Sequence, residues 1–319
     1  MLTYIARRLL WGIVVLILVS LIVFFTIRLL PGDPLLIYLA DSDNLRSMSQ
    51  EQLDGLRAQY GLDKPILLQY VSWIADILQG DLGRSIHYNE NVATLMLERL
   101  PITLHLGLIS MAISLPLGVI AGLIAALRRG SWIDNIVVVA AYIGTAVPVF
   151  LFGYILILIF GLKLEWLPIA GYTSPLDDFW LSTKKLIMPV FCMSLPGIAG
   201  MARQMRSSVL EVASQDFVRT AWSKGLTEKV VVFRHMLKNS LIPIVTIMGM
   251  SIGAIFGGSV LIENVFAIPG MGRLLVNSLF GQDYVMIQAS TLITACIIVL
   301  SNLLVDISYG WFDPRIRYE

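Results

Sequence analysis

Ser214-Gln-Asp-Phe-Val-Arg-Thr-Ala-Trp-Ser-Lys-Gly-Leu-Thr-Glu-Lys-Val-Val-Val-Phe-Arg-His-Met-Leu-Lys-Asn-Ser-Leu-Ile-Pro243 is a polar, basic stretch set between two apolar segments. Ser214 is placed to cap a helix. Asp216 falls in its first turn and Lys224 in its last, where each charge complements the helix macrodipole. Gly225 stands where a left-handed C-terminal cap is needed. The spacing predicts a helix of about ten residues, with Phe217, Val218, Ala221 and Trp222 on one face. Thr227 is placed to cap a second helix, and Pro243 falls in the first turn of the apolar segment that follows. A helix this short is marginal in water. Its apolar face must rest either on a membrane surface or in a groove on a partner protein.

Outward from this stretch the chain is strongly apolar. Of its 319 residues 57% are hydrophobic and only 14% charged, and the mean hydropathy is +0.78. A soluble domain carries about 25% charged residues, so the deficit points to lipid as the solvent. Six apolar segments are long enough to consider as spans: Leu9–Leu30, Ile102–Leu127, Ile136–Leu162, Leu186–Met201, Leu241–Ile262 and Met286–Trp311. The fourth is short and holds Pro189, Pro196, Gly197 and Gly200, breaks tolerated only where protein covers the backbone. It is expected to be an interior helix. The first follows Arg7 and Arg8 but is too long for a signal-peptide core, and no cleavage site follows it.

The expected fold is an all-α polytopic membrane protein with six transmembrane helices. Residues 1–30 form a tail and the first span, 31–101 a helical insertion, and 102–319 a core of five spans containing the loop 202–240. One set of short loops and tails carries thirteen Lys and Arg, and the opposite set four, Lys163, Lys184, Lys185 and Arg273. The positive-inside rule then puts both termini and the 202–240 loop in the cytoplasm, with 31–101 outside. Within 31–101, Ser49 and Gln52 have capping-box spacing and Gly61 stands at a helix end. A second helix runs from near Pro65 to near Gly80, with Ile66, Leu67, Tyr70, Val71, Ile74, Ile77 and Leu78 on one face. That helix is either a cap packed on the bundle or a docking surface for an external partner.

The 214–243 stretch resembles the coupling loop of ABC importer permeases, in which a short helix ends at a glycine. Ala221 and Gly225 match its Ala and Gly, and Ile242-Pro243 its downstream apolar-Pro element. Asp216-Phe-Val-Arg-Thr-Ala221 is similar to the form found in the peptide and nickel branch, although the Glu-Ala-Ala opening is replaced by Arg219-Thr220-Ala221. Leu30-Pro-Gly-Asp-Pro34, Tyr60-Gly-Leu-Asp63, Gly80-Asp-Leu-Gly83, Pro101-Ile-Thr-Leu104, Trp166-Leu-Pro168, Pro269-Gly-Met-Gly-Arg273 and Asp313-Pro-Arg-Ile-Arg-Tyr318 extend the resemblance along the whole chain. It implies the type I importer permease fold, in the variant with a long extracytoplasmic loop after the first span. It further implies a second homologous permease, two ATP-binding subunits that carry ATP and Mg, and an extracytoplasmic substrate-binding protein. The cargo is a di- or oligopeptide, with nickel, glutathione or another small solute as alternatives. Asp216, Phe217, Val218, Arg219, Ala221, Trp222, Lys224 and Gly225 are the residues expected to couple to the ATPase.

The remaining motifs favour packing over chemistry. Gly249-Met-Ser-Ile-Gly253 matches a nucleophile-elbow pattern, but that pattern needs a strand before it, and Ser251 lies inside an apolar segment. Gly249, Gly253 and Gly257 instead form a small-residue stripe for close helix approach or for lining a path, as do Gly118 and Gly122. Asp306 is read as the one acidic residue well inside a span and is assigned a structural or gating role. His105 is read as a satisfied polar residue, and Cys192 and Cys296, which lack metal spacing, as small apolar residues. No metal ligands cluster, no cofactor is expected on this chain, and nothing suggests nucleic acid. No GxxxxGK[ST] sequence occurs, so ATP hydrolysis belongs to partner subunits. An intramembrane enzyme would need convergent nucleophile, base or metal ligands. A secondary transporter would need more buried ionisable residues and an inverted repeat.

Overall fold

The computed structural model describes residues 2–29, 55, 63–85 and 87–312. The expected caps at Ser49, Gln52 and Gly61 and the Asp313–Tyr318 motif lie outside them. The described residues are helical apart from connecting loops and one isolated bridge between Arg84 and Asn91. Four helices are individually long and apolar enough to cross a membrane, and six spans result when each of two bent pairs counts as one. Backbone packing divides the chain into two compact units. One comprises Ile102–Gly272 with the chain from Ser301, and the other Leu2–Pro101 with Arg273–Leu300.

The spans fall in the expected order, but with different limits. Helix α1 covers Leu2–Leu29, α2 covers Ile66–Leu78 and α3 covers Val92–Leu127. The last starts ten residues before the apolar run does. The third span is broken. Helix α4 (Trp132–Ala146) and α5 (Val149–Lys163) meet at 98°. The break is at Val147-Pro148, because proline has no N–H to donate and biases its predecessor toward extended backbone. Val147 accordingly has φ −77° and ψ 126°. Hydropathy alone runs through this point, which is why one straight span was expected.

The fourth span is also not short. Helix α6 runs from Phe179 to Ala213 through both Pro189 and Pro196, and it is the most buried of the four long spans. Its interior position is as expected. Packing keeps it continuous. Gly118 and Gly122 on α3 bring the two helices together so closely that a Cβ on Gly118 would lie 2.5 Å from Met201 Cβ, and one on Gly122 2.4 Å from the Ala202 carbonyl. Ser194 Oγ donates to the carbonyls of Val190 at 2.7 Å and Ser110 at 3.2 Å, one within its own helix and one across to α3. Cys192 is fully buried in the same region. His105, on α3, shares a 3.0 Å hydrogen bond with the Tyr172 hydroxyl.

After α6 come α7 (Asp216–Ser223), α8 (Glu228–Ser240, π-helical over Val231–Leu237) and α9 (Ile242–Val265), with Pro243 in its first turn. Helices α10 (Met271–Phe280) and α11 (Tyr284–Phe312) end the described chain. The unit containing Ile102–Gly272 has two apolar clusters. One joins Met201, Met205 and Val209 of α6 to α7 and α8. The other gathers Leu106, Leu156, Leu186, Ile262, Phe266 and Ile268.

Candidate functional site

Helix α7 is eight residues long, shorter than expected, because Ser214 does not start it. Ser214 instead closes α6, its hydroxyl donating to the Glu211 carbonyl at 2.7 Å. Residue Gln215 stands at the N-cap of α7, and Thr227 at that of α8, and neither side chain makes a capping hydrogen bond. Gly225 ends the turn with φ +73°. Its N–H donates to the Trp222 carbonyl at 2.9 Å, and nothing lies within 4 Å of where a Cβ would be. The glycine is therefore dictated by backbone conformation and not by crowding.

The apolar face expected at Phe217, Val218, Ala221 and Trp222 is divided. Val218 and Ala221 are 1% and 5% exposed, locked into the cluster with Met205, Val209, Val231, Val232 and Met236. Phe217 and Trp222 are 43% and 49% exposed. The i, i+4 rule placed the four together; the bundle already occupies the middle of that face. The inner pair fixes the helix, and the outer pair stands free of the cluster. Asp216 and Arg219 are solvated, with 3.8 Å between their charged atoms, a surface pair of little energetic weight. Lys224 is exposed beside Gly225.

An ion pair braces the same end of the bundle. Arg206 on α6 grips Asp134 on α4 with both Nε and Nη2, at 2.6 and 2.8 Å. Asp134 also accepts the Gly130 N–H at 3.0 Å and is 3% exposed. Bidentate geometry with a backbone donor is the arrangement in which a desolvated pair holds. Ser131, three residues earlier, caps α4 on the Asp134 N–H, and that Ser-x-x-Asp spacing is the sequence signal for this site.

Among the described residues, Glu263, near the end of α9, is a fully buried acid that the sequence reading did not single out. The Thr103 hydroxyl donates to its Oε1 at 2.6 Å, and the same hydroxyl accepts the Met271 N–H at 2.8 Å. The Pro269-Gly-Met-Gly-Arg273 motif folds over this carboxylate. A Cβ on Gly270 would lie 2.5 Å from the Glu263 carboxylate, and one on Gly272 2.6 Å from Val260 Cα. Both glycines are thus set by close approach. Glu263 was missed because the apolar run was ended at Ile262, one residue short. Asp306 lies on α11, and its side chain is outside the described residues.

Of the expected small-residue stripe on α9, Gly249 is buried, Gly253 half-buried and Gly257 exposed. A Cβ on Gly257 would meet nothing within 4 Å, so this end of the stripe makes no close helix contact among the described residues. Ser251 donates its hydroxyl to the Ile247 carbonyl of its own helix at 2.8 Å. Among the described residues, no three His, Cys, Asp or Glu side chains are placed to share a metal ion.

The model of the family described as "binding-protein-dependent transport system inner membrane component" matches residues 118–318. A companion model for the N-terminal part of such membrane components matches residues 1–107. A protein of Bacillus subtilis (strain 168) described as an oligopeptide transport system permease protein is 38% identical over 321 residues, covering 100% of both chains. One described as a peptide permease protein, from Brucella suis biovar 1 (strain 1330), is 39% identical over 320 residues, covering 99% of both. One described as a peptide ABC transporter permease protein, from Sinorhizobium fredii, is 39% identical over 315 residues, again with 99% of both covered.

Proposed function

The chain belongs to the family of inner membrane components of binding-protein-dependent transport systems, and from that premise we propose that it is a permease subunit of an ATP-driven peptide importer. Relatives matched end to end carry peptide permease names, which supports a peptide cargo over nickel or glutathione. A binding protein delivers the peptide on the extracytoplasmic side. A second, related permease completes the path. Two ATPase subunits, holding ATP and Mg, drive the two permeases between outward-open and inward-open states. Both termini and α7 are cytoplasmic in this reading, as the distribution of Lys and Arg favours. Residues 1–30, 31–101 and 102–319 then serve as first span, extracytoplasmic insertion and transport core.

The observation that carries the reading is the construction of α7. Its inner residues Val218 and Ala221 are rooted in the bundle, and its outer residues Phe217 and Trp222 are left uncovered. A push on the outer face is therefore passed to α6 and α8 as a rigid displacement, since close-packed side chains transmit strain instead of absorbing it. Asp216, Arg219, Lys224 and Gly225 frame that face. On α9, Gly249, Ser251, Gly253 and Gly257 are assigned to the path or to the second permease, supported by the open space at Gly257. Asp306 is assigned a structural or gating role.

The test is reconstitution of the full chain with its second permease, ATPases and binding protein in proteoliposomes. Peptide-loaded binding protein is expected to stimulate ATP hydrolysis and ATP-dependent peptide uptake. Uptake of nickel or glutathione without peptide overturns the cargo. Uptake that proceeds without ATP overturns the mechanism.

A further inference from the structure

In the unit formed by Leu2–Pro101 and Arg273–Leu300, α2 presents three strips of different character. The first packs on α1. The Tyr70 hydroxyl shares a 2.9 Å hydrogen bond with Ser20 Oγ, and the rings of Tyr70 and Trp73 lie 5.4 and 5.6 Å from that of Phe24. The second holds Leu67, Val71 and Leu78, which are 71%, 60% and 82% exposed. The third, nearly opposite the second at 3.6 residues per turn, holds Gln69, Ser72 and Asp76. These three line a cavity of about 180 Å³ together with Arg28, Lys64 and Asp81. No residue of α2 is fully buried. The face expected to be single is in fact two: one turned to α1 and one that no described residue covers.

The contact with α1 fixes the depth of α2. Arg28 lies in the last turn of α1, its guanidinium 5.3 Å from the Phe24 ring centroid, and a guanidinium at a span end sits at the headgroup level. Ser20 precedes it by eight residues, about 12 Å of helix rise. A helix hydrogen-bonded to Ser20 and packed against Phe24 therefore lies at and just below the headgroup level, beside a part of α1 whose own Leu18 and Ile22 are exposed. Interfacial helices place an apolar face about 5–10 Å into the acyl boundary and keep a polar face toward water, which is the separation of Leu67, Val71 and Leu78 from Gln69, Ser72 and Asp76. An apolar strip of this kind in water is a liability. We propose that α2 is an interfacial membrane helix, its Leu67–Val71–Leu78 strip solvated by lipid acyl chains of the leaflet in which α1 ends. The helical insertion is then partly embedded in the membrane, neither a wholly aqueous cap nor a free docking surface.

Spin labels at Val71→Cys and Ser72→Cys, introduced one at a time into the full chain with Cys192 and Cys296 replaced by Ala, test this in bilayers with the partner subunits present. Both positions are exposed, so a label is tolerated. At Val71 collisions with oxygen are expected to exceed those with a water-soluble nickel chelate, with chelate access several-fold lower than at Ser72. Chelate access at Val71 equal to that at Ser72 overturns the proposal, because α2 is then in water. Low access to both reagents at Val71 also overturns it, because the strip is then covered by protein.

Discussion

Replacing Trp222 by Ala separates docking from folding at α7. The indole is 49% exposed while its neighbours Val218 and Ala221 are buried in the chain's own cluster. A tryptophan buries up to about 250 Å², so the open half corresponds to roughly 120 Å². At about 25 cal/mol per Å² its burial against a partner contributes ~3 kcal/mol gross. Part of that is lost to ordering and imperfect fit, leaving ~2 kcal/mol, the range of an aromatic hot spot. Trp222→Ala is therefore expected to weaken ATPase binding to the permease complex about 30-fold. The assay is titration of the ATPase subunits onto the nanodisc-embedded permease pair, with thermal unfolding of the chain followed in parallel. The melting temperature should move much less than the affinity, and Trp222→Phe should restore most of the binding. Unchanged affinity together with normal transport would refute the assignment of this face. Ala221→Asp does not make the same test. It puts a carboxylate into a cluster where the alanine is 5% exposed, and so reports on folding.

Two further substitutions follow from the geometry. Gly225→Ala is expected to cost roughly 1–2 kcal/mol, from the left-handed backbone alone, because φ is +73° and the added methyl meets nothing within 4 Å. Gly225→Asn should recover part of it, and equal stability of all three in thermal unfolding would show that the turn relaxes. Thr103→Val removes the donor to buried Glu263 and the acceptor for the Met271 N–H, a loss of about 1–3 kcal/mol. Limited proteolysis should show faster cleavage near Pro269–Arg273, and unchanged protection would sink the idea that Thr103 holds this turn.

What the sequence made legible was what local chemistry dictates. The spans could be read because each is a long, mostly apolar run, and Gly225 because a helix end in the left-handed region selects glycine whatever surrounds it. Pro148 was equally readable as a break, yet hydropathy averages over a single residue and hides it. The fourth span shows the opposite: its prolines are tolerated inside protein as expected, but the helix runs well past the short apolar segment, and α3 packs on it through Gly118 and Gly122. Such overrides depend on which neighbour arrives in space, and no spacing within one helix encodes that. The division of the α7 face has the same origin: helical periodicity groups Phe217, Val218, Ala221 and Trp222, and only the presence of α6 and α8 beneath the helix sorts them into rooted and open pairs.

The Pro269–Arg273 motif shows the limit most clearly. Its glycines invite a turn reading, and a turn explains why glycine is tolerated there. It does not explain why anything larger is excluded. At Gly270 the exclusion comes from Glu263, whose carboxylate occupies the space a side chain would need, and at Gly272 it comes from Val260; Thr103, far back in the sequence, bridges that carboxylate to the Met271 N–H. Four separated positions thus form one buried polar knot at an end of α9. A buried carboxylate is expensive unless its partners are in place, so Glu263, Thr103 and the two glycines form and fail together. The short motif readable in the sequence is therefore the visible edge of a tertiary requirement set by residues outside it.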